Sequence, residues 1–156
     1  MTLPCLGPLD LETLRAEDVP EPFAFGHADR VRFHEIDVLD HVNNARYLSW
    51  FETFRIAWMR AYGLDRDGQP SLVVKAVSVD FRAPLHLDET YIVAGRAKAY
   101  RRTSWTMEYA VVARGRVCAT GEAVVVLMEA DGTTRRPLPD RFLDVFRTRD
   151  GATPDR

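Results

Sequence analysis

Across residues 44–61 apolar side chains fall at Tyr47, Leu48, Trp50, Phe51, Phe54, Ala57, Trp58 and Ala61, the i, i+3, i+4, i+7 spacing of a helix, and Gly63 supplies a stop. At 1.5 Å per residue such a helix is about 27 Å long, and a face so wide and so aromatic has to be covered by something large. Strands are the candidates. Beyond a polar turn containing Asp65, Asp67, Gly68 and Pro70, runs 71–82, 89–100, 103–114 and 116–130 succeed one another with no second long helix between them. In the third, Trp105, Met107, Tyr109, Val111 and Ala113 alternate with Thr106, Glu108, Ala110, Val112 and Arg114. In the fourth, Val117, Ala119, Gly121, Ala123, Val125 and Leu127 form one face. Pro84 with Asp88, Arg101 with Arg102, Gly115, and Asp131 with Gly132 punctuate the runs as turns, which makes consecutive strands antiparallel neighbours. An earlier run, 25–35, alternates around Val31 and Phe33 and predicts a first strand. The order strand, helix, four strands predicts an α+β chain in which one curved, antiparallel, five-stranded sheet wraps around a long central helix. Such a sheet has open edges, and dimerisation is an economical way to cover them.

With 156 residues and 46% hydrophobic content the chain builds one core and is too short for two ordinary domains. Pro4, Pro8, Pro20 and Pro22, interleaved with acidic residues, mark residues 1–24 as an N-terminal arm; 25–148 is the single domain, with a short closing helix over 140–147, and 149–156 is expected to be a loose tail. Twenty-one basic and 23 acidic residues give a net charge of -2, which leaves no global field to draw the protein to nucleic acid or a membrane surface. Cys5 and Cys118 stand far apart without disulfide or zinc spacing, no leader-like segment opens the chain, and no run approaches a membrane span, so a cytoplasmic protein is expected. His27, His34, His41 and His86 form no metal-binding spacing, and neither a glycine-rich phosphate loop nor a G-x-S-x-G elbow is present. No metal is expected.

Charge is concentrated just ahead of the aromatic helix. Residues 35–52 read E-I-D-V-L-D-H-V-N-N-A-R-Y-L-S-W-F-E, which places Asp37, Asp40 and His41 where a strand runs into a helix start. Backbone N–H groups there lack intrahelical partners and can be turned on an anion or a developing oxyanion. Asp37 is equally suited to activating a nucleophile and to capping the turn. Asn43 and Asn44 are preferred helix-capping residues, and Glu52 is placed to pair with Arg55.

The segment D-V-L-D-H-V-N-N-A-R-Y-L-S-W-F-E resembles the signature of hotdog-fold acyl thioesterases, in the spacing of Asp37, His41, Asn43, Asn44, Tyr47 and Glu52. The nearest branches are the 4-hydroxybenzoyl-CoA and long-chain acyl-CoA thioesterases, with an echo of the plant acyl-carrier-protein thioesterases; in outline the likeness runs over 25–138. It implies a homodimer, often paired into a dimer-of-dimers tetramer, that hydrolyses an acyl-CoA at sites between protomers, with no cofactor beyond the CoA of the substrate. Asp37 matches the catalytic carboxylate, as nucleophile or general base, and the Asn44 main-chain N–H matches the donor to the thioester oxygen. His41 falls at a position implied to orient carboxylate, water or substrate, although the plant relatives place an Asn where this chain has Leu39. The resemblance further implies substrate contacts from Asn43 and Tyr47, an acyl pocket shaped by Tyr47, Trp50 and Phe51, and a CoA-seating turn of Arg101, Arg102, Thr103 and Ser104, with Arg82 as a further phosphate contact. Two alternatives stay open: a non-catalytic acyl- or CoA-binding module, and a hydratase or dehydratase on the same fold.

Overall fold

The computed structural model describes residues 2–65 and 71–155. Helix α1 spans Leu11–Ala16, α2 Arg46–Ala61 and α3 Asp140–Thr148, and the strands are β1 Gly26–Arg30, β2 Ser71–Phe81, β3 Thr90–Tyr100, β4 Ser104–Ala113, β5 Arg116–Met128 and β6 Thr153–Pro154. Helices α2 and α3 and strands β2–β5 are those expected, with ends moved by a few residues, whereas α1 and β6 are additional, β6 bringing the expected five strands to six; the polar turn beyond Asp65 lies outside the described residues. The sheet runs β1-β3-β4-β5-β2, every pairing along that path antiparallel, and the two-residue β6 adds a parallel pairing to β3.

Helix α2 packs on one face of this sheet, and three residues in a row explain its seat. Gly95 of β3 is paired with Tyr109 of β4, and Tyr109 with Gly121 of β5. A Cβ on Gly95 would stand 2.8 Å from Phe54 and one on Gly121 2.6 Å from Phe51, so the two glycines let the helix aromatics down onto the sheet. Phe51 then stacks on the Tyr109 ring at 4.3 Å, with Phe54 edge-on to it. Next to Phe51 in the helix, Trp50 stacks on Tyr91 at 3.9 Å. At the other end α3 inserts Phe142 and Phe146 against Trp105, and Phe146 reaches Trp58.

The opposite face of the sheet carries a second cluster, in which Leu9, Leu14, Val19 and Phe23 of the N-terminal residues cover Ala28, Ile92, Ala94, Ala110 and Val112. The first strand is shorter than expected. It stops at Arg30, and Phe33–Glu35 form a single 3-10 turn, because Glu35 is drawn inward to accept from the Trp50 indole N–H and the Arg32 amide, both at 2.8 Å. The C-terminal residues, expected to be loose, are tied down: β6 pairs with Ala99 and Tyr100, and buried Asp150 accepts from the Ala97 amide at 2.7 Å and the Trp58 indole at 3.1 Å through one oxygen.

Candidate active site

Asp37 sits at the start of a tight turn. Its amide donates to the His41 carbonyl at 2.8 Å, its carbonyl accepts from Asp40 at 3.1 Å, and Ile36 bridges Val42 below. Val38 and Leu39 occupy the tip, and Val38 is fully exposed. Asp40 has a φ of 61°, the left-handed region that a tight turn requires and that Asp tolerates better than most residues. The Asp37 side chain is half-buried, and its Oδ1 accepts from the Leu39 amide at 2.9 Å. The capping role open to Asp37 from the sequence is thus filled by one oxygen; no hydrogen bond engages the other among the described residues.

The chain then enters α2. The Asn43 amide donates to the Glu35 carbonyl at 2.8 Å, and its Oδ1 accepts from Ala45 at 2.9 Å, so Asn43 ties the turn that leads into the helix, while the N-cap position itself, Ala45, has no side-chain cap bond. Asn44 does not cap. It is exposed, and no acceptor meets its main-chain N–H among the described residues. A bare amide at a helix start is a donor aimed outward and reinforced by the helix dipole.

Tyr47 is a wall residue, buried between Trp50 and the Phe81 ring, and burial pushes its phenol up to about 12. Trp50 is buried beneath it and stacked on Tyr91, so it supports this wall and does not line an open pocket. The open apolar space lies between α2 and β2 instead: adjoining clefts of about 250 and 280 Å³ share Glu52, Arg55 and Val74, with Leu48, Phe51 and Val77 lining one and Ile56, Met59 and Leu72 the other. Glu52 forms no ion pair with Arg55, whose Nη1 donates to the Tyr109 hydroxyl at 3.1 Å.

Arg82, which follows the Phe81 end of β2, pairs with Asp80 at 3.0 Å and makes no bond to the Asp37 turn among the described residues. The Arg101, Arg102, Thr103 and Ser104 turn is not near it. The Asp37 turn rests on the loop before β3, through Val42 N–H to Leu85 O at 2.9 Å, while the 101–104 turn follows the last residue of that 11-residue strand. At about 3.3 Å per residue the strand holds them roughly 33 Å apart within one chain. Around the distant turn is a cleft of about 450 Å³ whose lining includes Lys75, Arg101, Arg102, Ser104 and Arg135, with Asp155 paired to Arg101 at 2.9 Å. Lys75 and Arg135 are not among the residues the sequence singles out, since nothing in their local sequence connects them to that turn. His86 is a second omission: its ring lies edge-on to His41 at 5.1 Å, 45 positions away in sequence. No group of three or more His, Cys, Asp and Glu side chains among the described residues could hold a metal ion, and no described helix is long and apolar enough to cross a membrane.

The fold and sequence are matched by known proteins. Residues 31–146 match the thioesterase-like superfamily. The chain belongs to that superfamily. A solved thioesterase superfamily protein from Jannaschia sp. CCS1 is 40% identical and superposes with a TM-score of 0.90, covering 97% of this chain and 98% of that one. A thioesterase from Thermus thermophilus, solved with coenzyme A and zinc, is 32% identical with a TM-score of 0.74 over 85% of this chain and 98% of its own. Among curated proteins the long-chain acyl-CoA thioesterase FadM of Escherichia coli (strain K12) is 23% identical over 118 residues, 70% of this chain and 85% of that protein. The expected hotdog architecture and the expected class, a thioester hydrolase, are thereby borne out.

Proposed function

We propose that the protein hydrolyses an acyl-CoA to the free acid and CoA at a site shared by two copies of the chain. The observation that carries the reading is the unpaired Asn44 N–H at the α2 start, directly after the turn that presents Asp37. In this reading Asp37 takes a proton from water as the water oxygen bonds to the thioester carbon, or attacks that carbon itself and expels CoA thiolate, after which water hydrolyses the mixed anhydride to free acid and restored carboxylate and supplies the proton for the thiolate. The carbonyl oxygen gains negative charge against the Asn44 N–H, the C–S bond breaks, and the proton passes to the departing sulfur. Losing one oxyanion donor typically costs about 3–4 kcal/mol of barrier, but side-chain substitution of Asn44 leaves this donor in place. His41 contributes its main-chain carbonyl, which fixes the Asp37 amide, and Asn43 sets the angle at which the helix begins.

The second copy follows from the 33 Å problem. Strand β2 is an edge, bonded among the described residues to β5 alone, and its Val74, Val77 and Phe81 on the α2 side stay about two-fifths exposed. Antiparallel pairing of β2 with its own copy inverts the partner, which carries the partner's 101–104 turn to the end of the sheet where Asp37 lies. Arg101 and Arg102 then offer charge-assisted bonds to CoA phosphates, Thr103 and Ser104 hydroxyls to the pantetheine arm, and Arg82 a further cation from the first copy. The α2–β2 clefts receive the acyl chain. A tetramer of two such dimers, cytoplasmic residence and action without a further cofactor belong to the same proposal.

Free-thiol release from a panel of acyl-CoAs tests it, with Asp37→Asn and Asp37→Ala beside wild type. We expect kcat to fall about 10²- to 10⁴-fold for both, the range for loss of a positioned acid–base group. Unchanged turnover would sink the assignment. Mixing Asp37→Asn with Arg101→Ala/Arg102→Ala chains checks the sharing, since a mixed dimer regains one intact site. The engaged Asp37 Oδ1 favours the non-catalytic binding module; protection by acyl-CoA against thermal unfolding with no thiol released would establish it.

A further inference from the structure

We propose that His86, on the loop before β3, is a positioning residue for the catalytic turn, acting through a hydrogen bond from its imidazole to the Asp40 carbonyl. The proposal rests on the reading of Asp37 as the catalytic carboxylate. His86 Nδ1 lies 2.9 Å from Asp40 O. A carbonyl oxygen only accepts, so the proton is on Nδ1 and the tautomer and ring plane are set by this bond.

The turn needs support from outside itself. Asp40 is held in the left-handed region, an arrangement that costs roughly 1–2 kcal/mol for a residue with a Cβ. Its amide is bonded within the turn, to Asp37 O, but its carbonyl points away, and His86 is what meets it. The same loop grips the far side of the turn, where the Val42 amide donates to Leu85 O at 2.9 Å. His86 is itself braced: its amide donates to Glu89 Oε2 at 2.9 Å, and Glu89 Oε1 accepts from Arg114 on the β4–β5 turn. The His41 ring packs edge-on against the His86 ring. A connected path therefore runs from Arg114 through Glu89 and His86 to Asp40 and Asp37. Movement at Asp40 shifts the neighbouring Leu39 amide, to which the Asp37 carboxylate is bonded, and so turns the reacting oxygen.

Three variants of the full chain separate this role from simple packing. His86→Asn retains an N–H donor within reach of Asp40, His86→Phe retains the ring against His41 without the donor, and His86→Leu retains neither. With palmitoyl-CoA and benzoyl-CoA as substrates we expect kcat to fall about tenfold or more in the Phe and Leu variants, with KM within about twofold of wild type, as for a displacement of a fraction of an ångström. The Asn variant is expected to recover most of that loss. Amide exchange at Leu39 and Asp40 should quicken in the Phe and Leu variants and not in Asn, a readout independent of turnover. Wild-type kcat in the Phe and Leu variants, or kcat losses in all three that track their thermal unfolding midpoints, overturns the proposal. Asp37→Asn is assayed alongside. If it is inactive while the Phe and Leu variants are not, only the role of His86 falls; if Asp37→Asn keeps wild-type turnover, the reading of Asp37 falls and this proposal with it.

Discussion

The two sides of the sheet are finished in opposite ways. On the β1–β3 side every stretch of edge is closed by the chain itself: Leu6 and Leu9 amides donate to the β1 carbonyls of Ala28 and Gly26, β1 covers β3 as far as Ala94, the Phe25 carbonyl takes the Gly95 amide, Asp150 takes Ala97, and β6 takes Ala99 and Tyr100. On the β2 side nothing in the described chain pairs with the edge, and Val73, Val74, Val77 and Phe81 are left partly exposed. An unprotected, apolar, 11-residue edge is an aggregation hazard unless one definite partner takes it. In the proposed dimer, closing one side so thoroughly while leaving the other bare directs association to a single place, the place at which the proposed site becomes complete.

The sharpest break of this contrast is on the open side. In an antiparallel pairing centred on the middle of β2, Ala76 meets its own copy, so Ala76→Asp sets two carboxylates opposite each other. We expect monomers by sedimentation and a loss of kcat/KM of about 10²-fold or more, because orienting groups from the second copy are removed. Mixing Ala76→Asp with Ala76→Lys chains should restore both. A fully active monomer would end the shared-site reading. On the closed side the same boldness costs stability and not assembly: Leu14→Ala opens a cavity between the N-terminal residues and the sheet, where Leu14 is fully buried against the Gly26 position. Chemical denaturation should show a loss of about 2–5 kcal/mol with the sedimentation pattern unchanged.

How far the sequence exposes this arrangement depends on the range of the interactions. The α2 face and the alternation in β4 and β5 are local periodicities, and they appear in the structure within a few residues of where the pattern puts them. Glu35 shows where periodicity fails: it ends a plausible strand pattern, yet a bond to an indole 15 positions on turns it inward and breaks the strand at Arg30. The closed edge was illegible for the same reason, since what makes residues 149–155 ordered is Asp150 reaching Ala97 and Trp58 across the fold. Within the candidate site, Asp37 and the helix start are contiguous and could be read together; His86, Lys75 and Arg135 are brought in from distant parts of the sequence, and no local signal marks them. The sequence also shows both halves of the proposed site without showing that one chain holds them at opposite ends.

Asp150 allows the closed side to be tested by pH. Burial raises its carboxyl to about 7, against an ordinary value of 3.8, although the Ala97 amide, the Trp58 indole and Arg96 oppose the rise. Between those two values the folded protein holds a proton that the unfolded chain has released, so stability falls as pH rises, by about 1.4 kcal/mol per pH unit, and the loss is complete above about 7. Asp150→Asn keeps an oxygen to accept both N–H groups and carries no charge to bury. It should equal wild type near pH 4 and exceed it by about 2–4 kcal/mol at pH 8 in denaturation experiments. A gap that does not grow with pH would show that Asp150 does not bring that proton into the fold.

The smallest effect is expected at the last closure, where the Asp155 amide donates to Tyr100 O and its carboxylate pairs with Arg101. That ion pair is about half exposed on each side, so its removal by Asp155→Asn should change stability by less than about 0.5 kcal/mol. Its consequence lies in binding. Arg101 is one of the two cations assigned to CoA phosphate, and while Asp155 holds it a phosphate must displace a carboxylate to gain the same bonds. Asp155→Asn should therefore lower KM for acyl-CoA about twofold with kcat unchanged, an effect that shrinks as salt screens both anions. An unchanged KM at low salt would place the phosphates elsewhere, on Arg102, Lys75 or Arg135, and would make the Asp155 carboxylate part of the edge closure alone.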